Sequence, residues 1–554
     1  MNTPLASGRY DAIIIGGAFS GSVFTTLLKR WNPDARVLIV ERSEAFDRKV
    51  GEATVEISSL MLHRILGLHD YLAREQLPKH GLRYWFNRRR DQSLGEISEV
   101  GPLEVPRLPA FQLDRAKMDQ KLLDVAVGAG AELLRPARVV DLDLGWPESR
   151  VTVELPEEMG GERRELTARW VIDASGRQAV IARKKRLLKR TEEHPTAAVW
   201  GRFRGVTDFD GVGVLGKDPR RPTFDPIPAA RRLATNHFCG YGYWCWMIPL
   251  AGGETSIGLV YNKELYELPE GRDLKERFLA FLAAEPGLRE LTADAELDEA
   301  DFRSYAHLPY CTEQYMDRGW ASLGDAASFM DPYYSPGLDH ASISAFATAR
   351  VVEDDLAGRW SEEELTKAVA VHNDAFQRSY KRWISALYVG KYELMGDAEL
   401  TGASFLMDTA MYYMGCVTPI HEDVEMMRWP LFGQPIWQTT AAYNFMHFYH
   451  RRLVSIARAR RRLGIYGRRN EGWRHLVRTA SLGRTGATDM FKEGFKLWMR
   501  SELSTLWRRI TGGETRSRGD ASENPGIRPR KGASEADRDD IPSESMPAPA
   551  DARA

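Results

Sequence analysis

Asp11-Ala-Ile-Ile-Ile-Gly-Gly-Ala-Phe-Ser-Gly21 is the stretch on which the fold turns. The apolar run before its glycines has the pattern of a strand buried on both faces. A helical pattern, Ser22-Val-Phe-Thr-Thr-Leu-Leu-Lys-Arg-Trp31, follows, and a second apolar run, Ala35-Arg-Val-Leu-Ile-Val40, ends at Glu41. Strand, glycine turn, helix and strand in this order make the βαβ unit in which a glycine fingerprint carries meaning. Gly16 permits the tight turn, Gly17 continues it, and Gly21 lets helix and strand approach closely. Ala18 stands where the fingerprint has its middle glycine. The helix that begins near Ser20 offers free N–H groups and the positive end of its dipole to a pyrophosphate. Glu41, with Arg42 beside it, is placed to accept ribose hydroxyl hydrogen bonds. These residues predict an α/β, doubly wound domain that binds an adenine dinucleotide.

Two later segments narrow the dinucleotide. Val171-Ile-Asp-Ala-Ser-Gly176 reads as a buried strand ending in a tight turn. Trp320-Ala-Ser-Leu-Gly-Asp325-Ala-Ala reads as a strand that ends in Gly324-Asp325 and opens a helix. Earlier, Phe111-Gln-Leu-Asp-Arg-Ala-Lys-Met-Asp119 begins a helix with Arg115 in its first turn. The order resembles the aromatic-hydroxylase class of FAD enzymes. That resemblance implies FAD, with Gly324 and Asp325 at its ribityl chain and Arg115 near the flavin. An ordinary ion pair of Arg115 with Asp119 is the other reading.

Trp244-Cys-Trp-Met-Ile-Pro249 matches the WxWxIP signature of flavin-dependent halogenases letter for letter. Gly51-Glu-Ala-Thr54 resembles a segment that touches the flavin in that family, and Lys79-His-Gly81 resembles the context of its halogen-carrying lysine. The resemblance implies that Gly51, Glu52 and Ala53 contact FAD. It implies that Trp244, Trp246, Ile248 and Pro249 form a barrier between flavin and substrate. It also implies that Lys79 relays hypohalous acid, with chloride or bromide as halide and a separate flavin reductase supplying reduced FAD. Chemistry can use a lysine here, because a desolvated amine has a lowered pKa and both protonation states become accessible near neutrality.

Phe329-Met-Asp-Pro-Tyr-Tyr-Ser-Pro-Gly-Leu-Asp-His340 resembles the family's halide segment, which implies that the backbone N–H groups of Gly337 and Leu338 face halide and flavin. Three positions depart from the pattern. Pro336 has no N–H to offer. Glu56 stands where a proline is usual, and Gln76 where a phenylalanine is common. Tyr334 takes the place of the glutamate of tryptophan halogenases, closer to the phenol and pyrrole halogenases. An electron-rich phenolic or pyrrolic substrate follows from that resemblance.

Composition bounds the rest. Seventy-six Lys/Arg against 77 Asp/Glu give a net charge of −1, which excludes a highly basic nucleic-acid coat, and no nucleic-acid partner is expected. Cys239, Cys245, Cys311 and Cys416 are scattered without a CxxC pair, so neither a disulfide framework nor a metal site is expected. No apolar run is long enough for a membrane helix and the N-terminus lacks a signal-peptide pattern, so a cytoplasmic location is expected.

From about Ser361 the chain turns helical and rich in aromatic residues and methionine. Such side chains make either a helical core or an adaptable substrate pocket. Between Arg451 and Asp520 there are 18 Lys/Arg and 6 Asp/Glu. Phe491, Phe495, Trp498, Leu503, Leu506, Trp507 and Ile510 recur there at helical spacing. This helix either packs on its own protein or meets something acidic: an acyl-carrier protein bearing the substrate, or a membrane surface. Beyond Thr511 the composition is Gly, Pro, Ser and charge, and disorder is expected.

The expected domains are a discontinuous FAD-binding domain over 8–60, 105–180 and 315–360, and a substrate sheet over 61–104 and 181–314. A helical C-terminal domain over 361–510 and a loose tail over 511–554 complete the chain. FAD-dependent halogenation is the leading expectation. An aromatic monooxygenase or alkene reductase on the same fold, motivated by Pro336-Gly337, is the second. A non-catalytic flavoprotein scaffold docking through its basic C-terminus is the third.

Overall fold

A computed structural model describes residues 9–210, 227–478 and 484–511. The expected tail over 511–554 lies, except for Thr511, outside the described residues. β1 (Arg9–Ile15), α1 (Phe19–Trp31) and β2 (Val37–Val40) form the first crossover unit. β1 is central, parallel to β2 on one side and to strand Arg163–Asp173 on the other. Strand Trp320–Ser322 continues the sheet beyond Arg163–Asp173, and Glu132–Leu134 continues it beyond β2, all parallel. Ile13, Ile14, Leu38 and Ile39 are fully buried, as a sheet covered on both faces requires. Phe24, Leu27 and Leu28 of α1 fill one face of it.

A second sheet of nine strands stands beside the first. β3 (Leu82–Phe86) and β4 (Ser98–Pro102) are antiparallel neighbours near one edge, and β5 (Tyr243–Pro249) lies in the middle between Thr235–Gly240 and Thr255–Asn262. One strand comes from outside the expected boundaries. β6 (Arg474–Val477), inside the stretch read as helical, pairs in parallel with β4 at the sheet edge. Four residues flanked by Trp473 and Arg478 carry no strand periodicity of their own. The open edge of β4 makes them a strand, because it supplies the missing hydrogen-bond partners.

Arg83 of β3, Arg231 and Arg474 of β6 converge on the fully buried Glu99 of β4. Arg231 donates Nε to Glu99 Oε1 at 2.9 Å and Nη2 to Oε2 at 3.2 Å. Glu99→Ala leaves two buried guanidinium groups without their shared carboxylate, and a loss of about 3–5 kcal/mol in urea unfolding is the expected result.

Five long helices cover the two sheets. α2 (Gly337–Leu356) runs over the parallel sheet against α1. Ser361 and Glu364 form a reciprocal cap at the start of α3 (Glu362–Trp383). α4 (Ala398–Tyr412), α5 (Trp437–Arg462) and α6 (Arg484–Thr511) form the C-terminal bundle. The helix expected directly after Asp325 begins only at Gly337. A short turn (Gly324–Ala326) and strand Ser328–Phe329 intervene, because residues 328–329 pair with Tyr310–Thr312.

Candidate active site

The glycine loop has the close approaches its residue types suggest. Gly16 has φ +101°, and a Cβ on it would come within 2.6 Å of the Ala174 carbonyl oxygen. A Cβ on Gly21 would lie 2.0 Å from the Gly16 carbonyl oxygen. Glu41 braces this turn: one carboxylate oxygen accepts from the Gly17 N–H at 2.8 Å, the other from Ser43 N–H at 2.8 Å. Gly21→Ala therefore pries helix from strand. Loss of at least about a hundredfold in dinucleotide affinity is expected by fluorescence titration, since the added methyl has no place to go.

Arg115 makes the ion pair with Asp119, at 3.1 Å, and also donates Nη1 to the carbonyls of Val50 and Gly51 at 3.2 Å. It thus holds the loop that carries Gly51, Glu52 and Ala53. A Cβ on Gly51 would sit 2.7 Å from that same nitrogen. Asp325 lies near Arg177, Arg115 and Lys49; burial pushes its carboxyl upward against their pull. Glu52 is buried against Arg202, 3.0 Å away, yet burial outweighs that cation and lifts its carboxyl to about 7. Gly337 and Leu338 open α2, with open space around the Gly337 Cα and Pro336 at the cap.

Lys79 is buried, with its Nζ 2.8 Å from the Thr54 carbonyl. It lines a cavity of about 160 Å³ together with Glu56 and Asp339. Burial lowers its pKa to about 8, while Glu56 and Asp339 pull it back up. Each of these carboxylates is held by a tyrosine from the end of α4. Tyr413 donates to Glu56 Oε1 at 2.6 Å, and Tyr412 donates to Asp339 Oδ2 at 2.5 Å. The second oxygen of Asp339 accepts from the Ser58 N–H at 2.7 Å. The helix widens to a π turn at Tyr413–Val417, and both tyrosines line the cavity. Trp383, Leu387, Phe405 and Met446 give the C-terminal helices their share of the wall.

Tyr334 and Ser335 have φ +77° and +59°, uncommon for side-chain-bearing residues. Tyr334 is fixed by a hydrogen bond to Asp408 at 2.7 Å, which also receives Lys391 Nζ at 2.7 Å. Trp244 and Trp246 do not line the cavity. Their rings lie 5.9 Å apart in the layer behind it, and Trp244 meets Tyr333 at 5.3 Å, which in turn meets Tyr334 at 4.3 Å. Trp244 Nε1 donates to the Tyr392 hydroxyl at 2.9 Å, and Tyr392 donates to Asp331 at 2.8 Å. The two sequence motifs are thereby joined by one buried chain. Trp246 Nε1 reaches Ser256 at 3.1 Å, and Ser256 also hydrogen-bonds Glu52. Ile248 and Pro249 complete the same strand, β5.

Sequence reasoning did not single out Asp339, Tyr412, Tyr413 or the Lys391–Asp408 pair. Helical spacing within α4 places Tyr412 near the cavity only once the fold is known. Glu56 stood out as a departure from a pattern, and its partner lies over 350 positions away.

A sheet-and-helix fold of this kind is that of FAD-dependent halogenases. The family model described as tryptophan halogenase matches residues 98–382, and the chain belongs to that family. The flavin-dependent halogenase chlA of Dictyostelium discoideum is 30% identical over 365 residues, covering 60% of this chain and 58% of that protein. The chain thus spans less than two thirds of that relative's length. The 1H-pyrrole-2-carbonyl-[peptidyl-carrier protein] chlorinase of Pseudomonas fluorescens is 25% identical over 68% of this chain and 82% of that protein. Among solved structures, the halogenase PltM in complex with phloroglucinol and FAD superposes with a TM-score of 0.66 at 18% identity, over 89% of this chain and 96% of that one.

Proposed function

We propose that the protein is an FAD-dependent halogenase of electron-rich aromatic substrates, phenolic or pyrrolic, free or carried by an acyl-carrier protein. The observation that carries the reading is Lys79: a buried amine in an otherwise largely apolar cavity, held by one carbonyl and facing two carboxylates. The residues fit FAD. Gly16, Gly17, Ala18, Ser20 and Gly21 would hold the pyrophosphate, Glu41 and Arg42 the ribose, and Asp325 with Gly324 the ribityl chain. Arg115 keeps the Gly51–Ala53 loop in place. The N–H groups of Gly337 and Leu338 would serve halide.

When bound, reduced FAD from a separate reductase supplies two electrons and halide a further two, so that oxygen yields hypohalous acid and water. The Lys79 ammonium donates a hydrogen bond to the hypohalous oxygen and polarises the O–halogen bond toward the ring. Thr54 carbonyl, Glu56 and Asp339 keep that ammonium in place. Attack of the ring carbon on the halogen forms the carbon–halogen bond and breaks the O–halogen bond; the leaving hydroxide takes a proton from the Lys79 ammonium and departs as water, while the ring proton passes to Asp339, which returns it to the Lys79 amine. Tyr334, backed by Tyr333 and Trp244, closes the cavity on the side of β5.

The test is product analysis by mass spectrometry with reduced FAD, each halide, and phenolic and pyrrolic probes. A halogenated product that disappears in Lys79→Ala supports the reading. No halogenated product across the panel, or a hydroxylated product formed without halide, overturns it; the latter favours the monooxygenase reading.

A further inference from the structure

Asp408 stands on the face of α4 that borders the Lys79 cavity, with Phe405 a turn before it and Tyr412 a turn after it on the same wall. It is only 6% exposed. Its carboxylate is engaged on one side alone. Oδ2 receives three hydrogen bonds: from the Tyr334 hydroxyl at 2.7 Å, from Lys391 Nζ at 2.7 Å and from Ser404 Oγ at 3.0 Å. Oδ1 receives none among the described residues, and it is not sealed off. A carboxylate oxygen that is largely buried and lacks a donor costs free energy. The space that Asp408 borders is the cavity, so the missing donor belongs to what the cavity holds.

The groups behind Asp408 keep a negative charge at this wall. Lys391 is fully buried, and its Nζ also reaches Ser404 Oγ at 2.6 Å and the Tyr334 hydroxyl at 3.3 Å. A buried ion pair adds little net stability over apolar residues of similar shape, so support of the fold alone does not call for one. Tyr334 has φ +77°, a backbone state that costs free energy and recurs at functional sites. The polar groups of the cavity divide between two places. Glu56 and Asp339 act on Lys79, whereas Asp408 acts on Tyr334 and Lys391. Tyr412, which holds Asp339, follows Asp408 by four residues on α4, a rise of about 6 Å. A single aromatic ring can bridge that separation.

We propose that Asp408 Oδ1 accepts the hydrogen bond of the substrate's phenolic O–H or pyrrolic N–H. The cavity thereby selects rings that carry such a donor and turns their carbon edge toward Lys79. The inference deepens the halogenase reading and rests on it for the reaction, while the binding preference itself needs no turnover.

Equilibrium dialysis of m-cresol and m-xylene against the FAD-loaded full chain tests it. The two probes differ by a hydroxyl in place of a methyl group. The parent is expected to bind m-cresol at least about tenfold more tightly, because its hydroxyl meets a charged acceptor. Asp408→Leu/Lys391→Met exchanges the buried pair for apolar residues of similar size, so its circular dichroism spectrum should match the parent's. In that variant the affinity for m-cresol should fall to within about threefold of that for m-xylene, whose own affinity holds. A site with only a structural role would weaken both probes alike. Equal affinities in the parent, binding of neither probe, a preference that survives in the variant, or a parallel loss of both probes would each overturn the proposal. Halogenation without the preference sinks this inference alone. A preference that the variant removes, with no halogenated product from the parent, leaves Asp408 as the donor-selecting group and sinks the halogenase reading instead.

Discussion

If Lys79 acts as proposed, Lys79→Met is expected to lower halogenation by about 10²–10⁴-fold in kcat and to yield a protein at least as stable as the parent at pH 7. The two effects have one cause. The Lys79 amine is buried, its only described hydrogen bond goes to the Thr54 carbonyl, and burial holds its pKa at about 8 although Glu56 and Asp339 pull it upward. An amine whose folded pKa lies below its unfolded value of about 10.4 costs stability wherever it is charged in both states. Here that is below pH 8, at a cost of about 3 kcal/mol as an order of magnitude. Methionine of similar length removes the cost, less whatever the two carboxylates lose with their cation. Between pH 8 and about 10 the unfolded chain binds the extra proton, so the parent should gain stability with rising pH and Lys79→Met should not. Thermal unfolding at pH 7 and pH 9.5 checks the sign. A methionine variant that unfolds far below the parent at pH 7 would make Lys79 a structural residue. Retained halogenation would remove it from the chemistry.

The parts of the molecule legible in the sequence are those where local pattern and tertiary role coincide. Asp11–Gly21 is apolar because its strand is central, and glycine-rich because Gly21 and Gly16 nearly touch. Trp244–Pro249 forms a buried strand in its own right. The side of the site that faces Lys79 was hidden for the opposite reason. Tyr412 and Tyr413 sit in an aromatic-rich helical stretch where nearly any residue could be core, and only the fold brings them to Asp339 and Glu56. The strand Arg474–Val477 exists through the edge it completes. The indoles of Trp244 and Trp246 stand a layer behind the cavity, because Tyr333 and Tyr334, forced into positive-φ geometry at Tyr334, take the front position.

Asp339 makes the second prediction, on the pH dependence of the reaction. Burial lifts its carboxyl to about 6, with the negative charge of Glu56 adding to the rise and the hydrogen bonds from Tyr412 and Ser58 opposing it. A base with that value is ready above pH 6 and lost below it. The Lys79 ammonium is ready below pH 8 and lost above it. The product of the two is a bell between about pH 6 and 8 in kcat/KM, with limbs that belong to Asp339 and Lys79 together. Asp339→Asn keeps an acceptor for the Ser58 N–H and a partner for the Tyr412 hydroxyl, so the fold stays. It should flatten the acidic limb and lower the plateau by about a hundredfold. Tyr412→Phe removes a hydrogen bond that favours the carboxylate, so the acidic limb should move to higher pH with a smaller loss of rate. Rate profiles of the three proteins decide the matter. An acidic limb unchanged in Asp339→Asn assigns the proton acceptor elsewhere, and a Tyr412→Phe limb that moves to lower pH contradicts the hydrogen bond as the cause of the tuning.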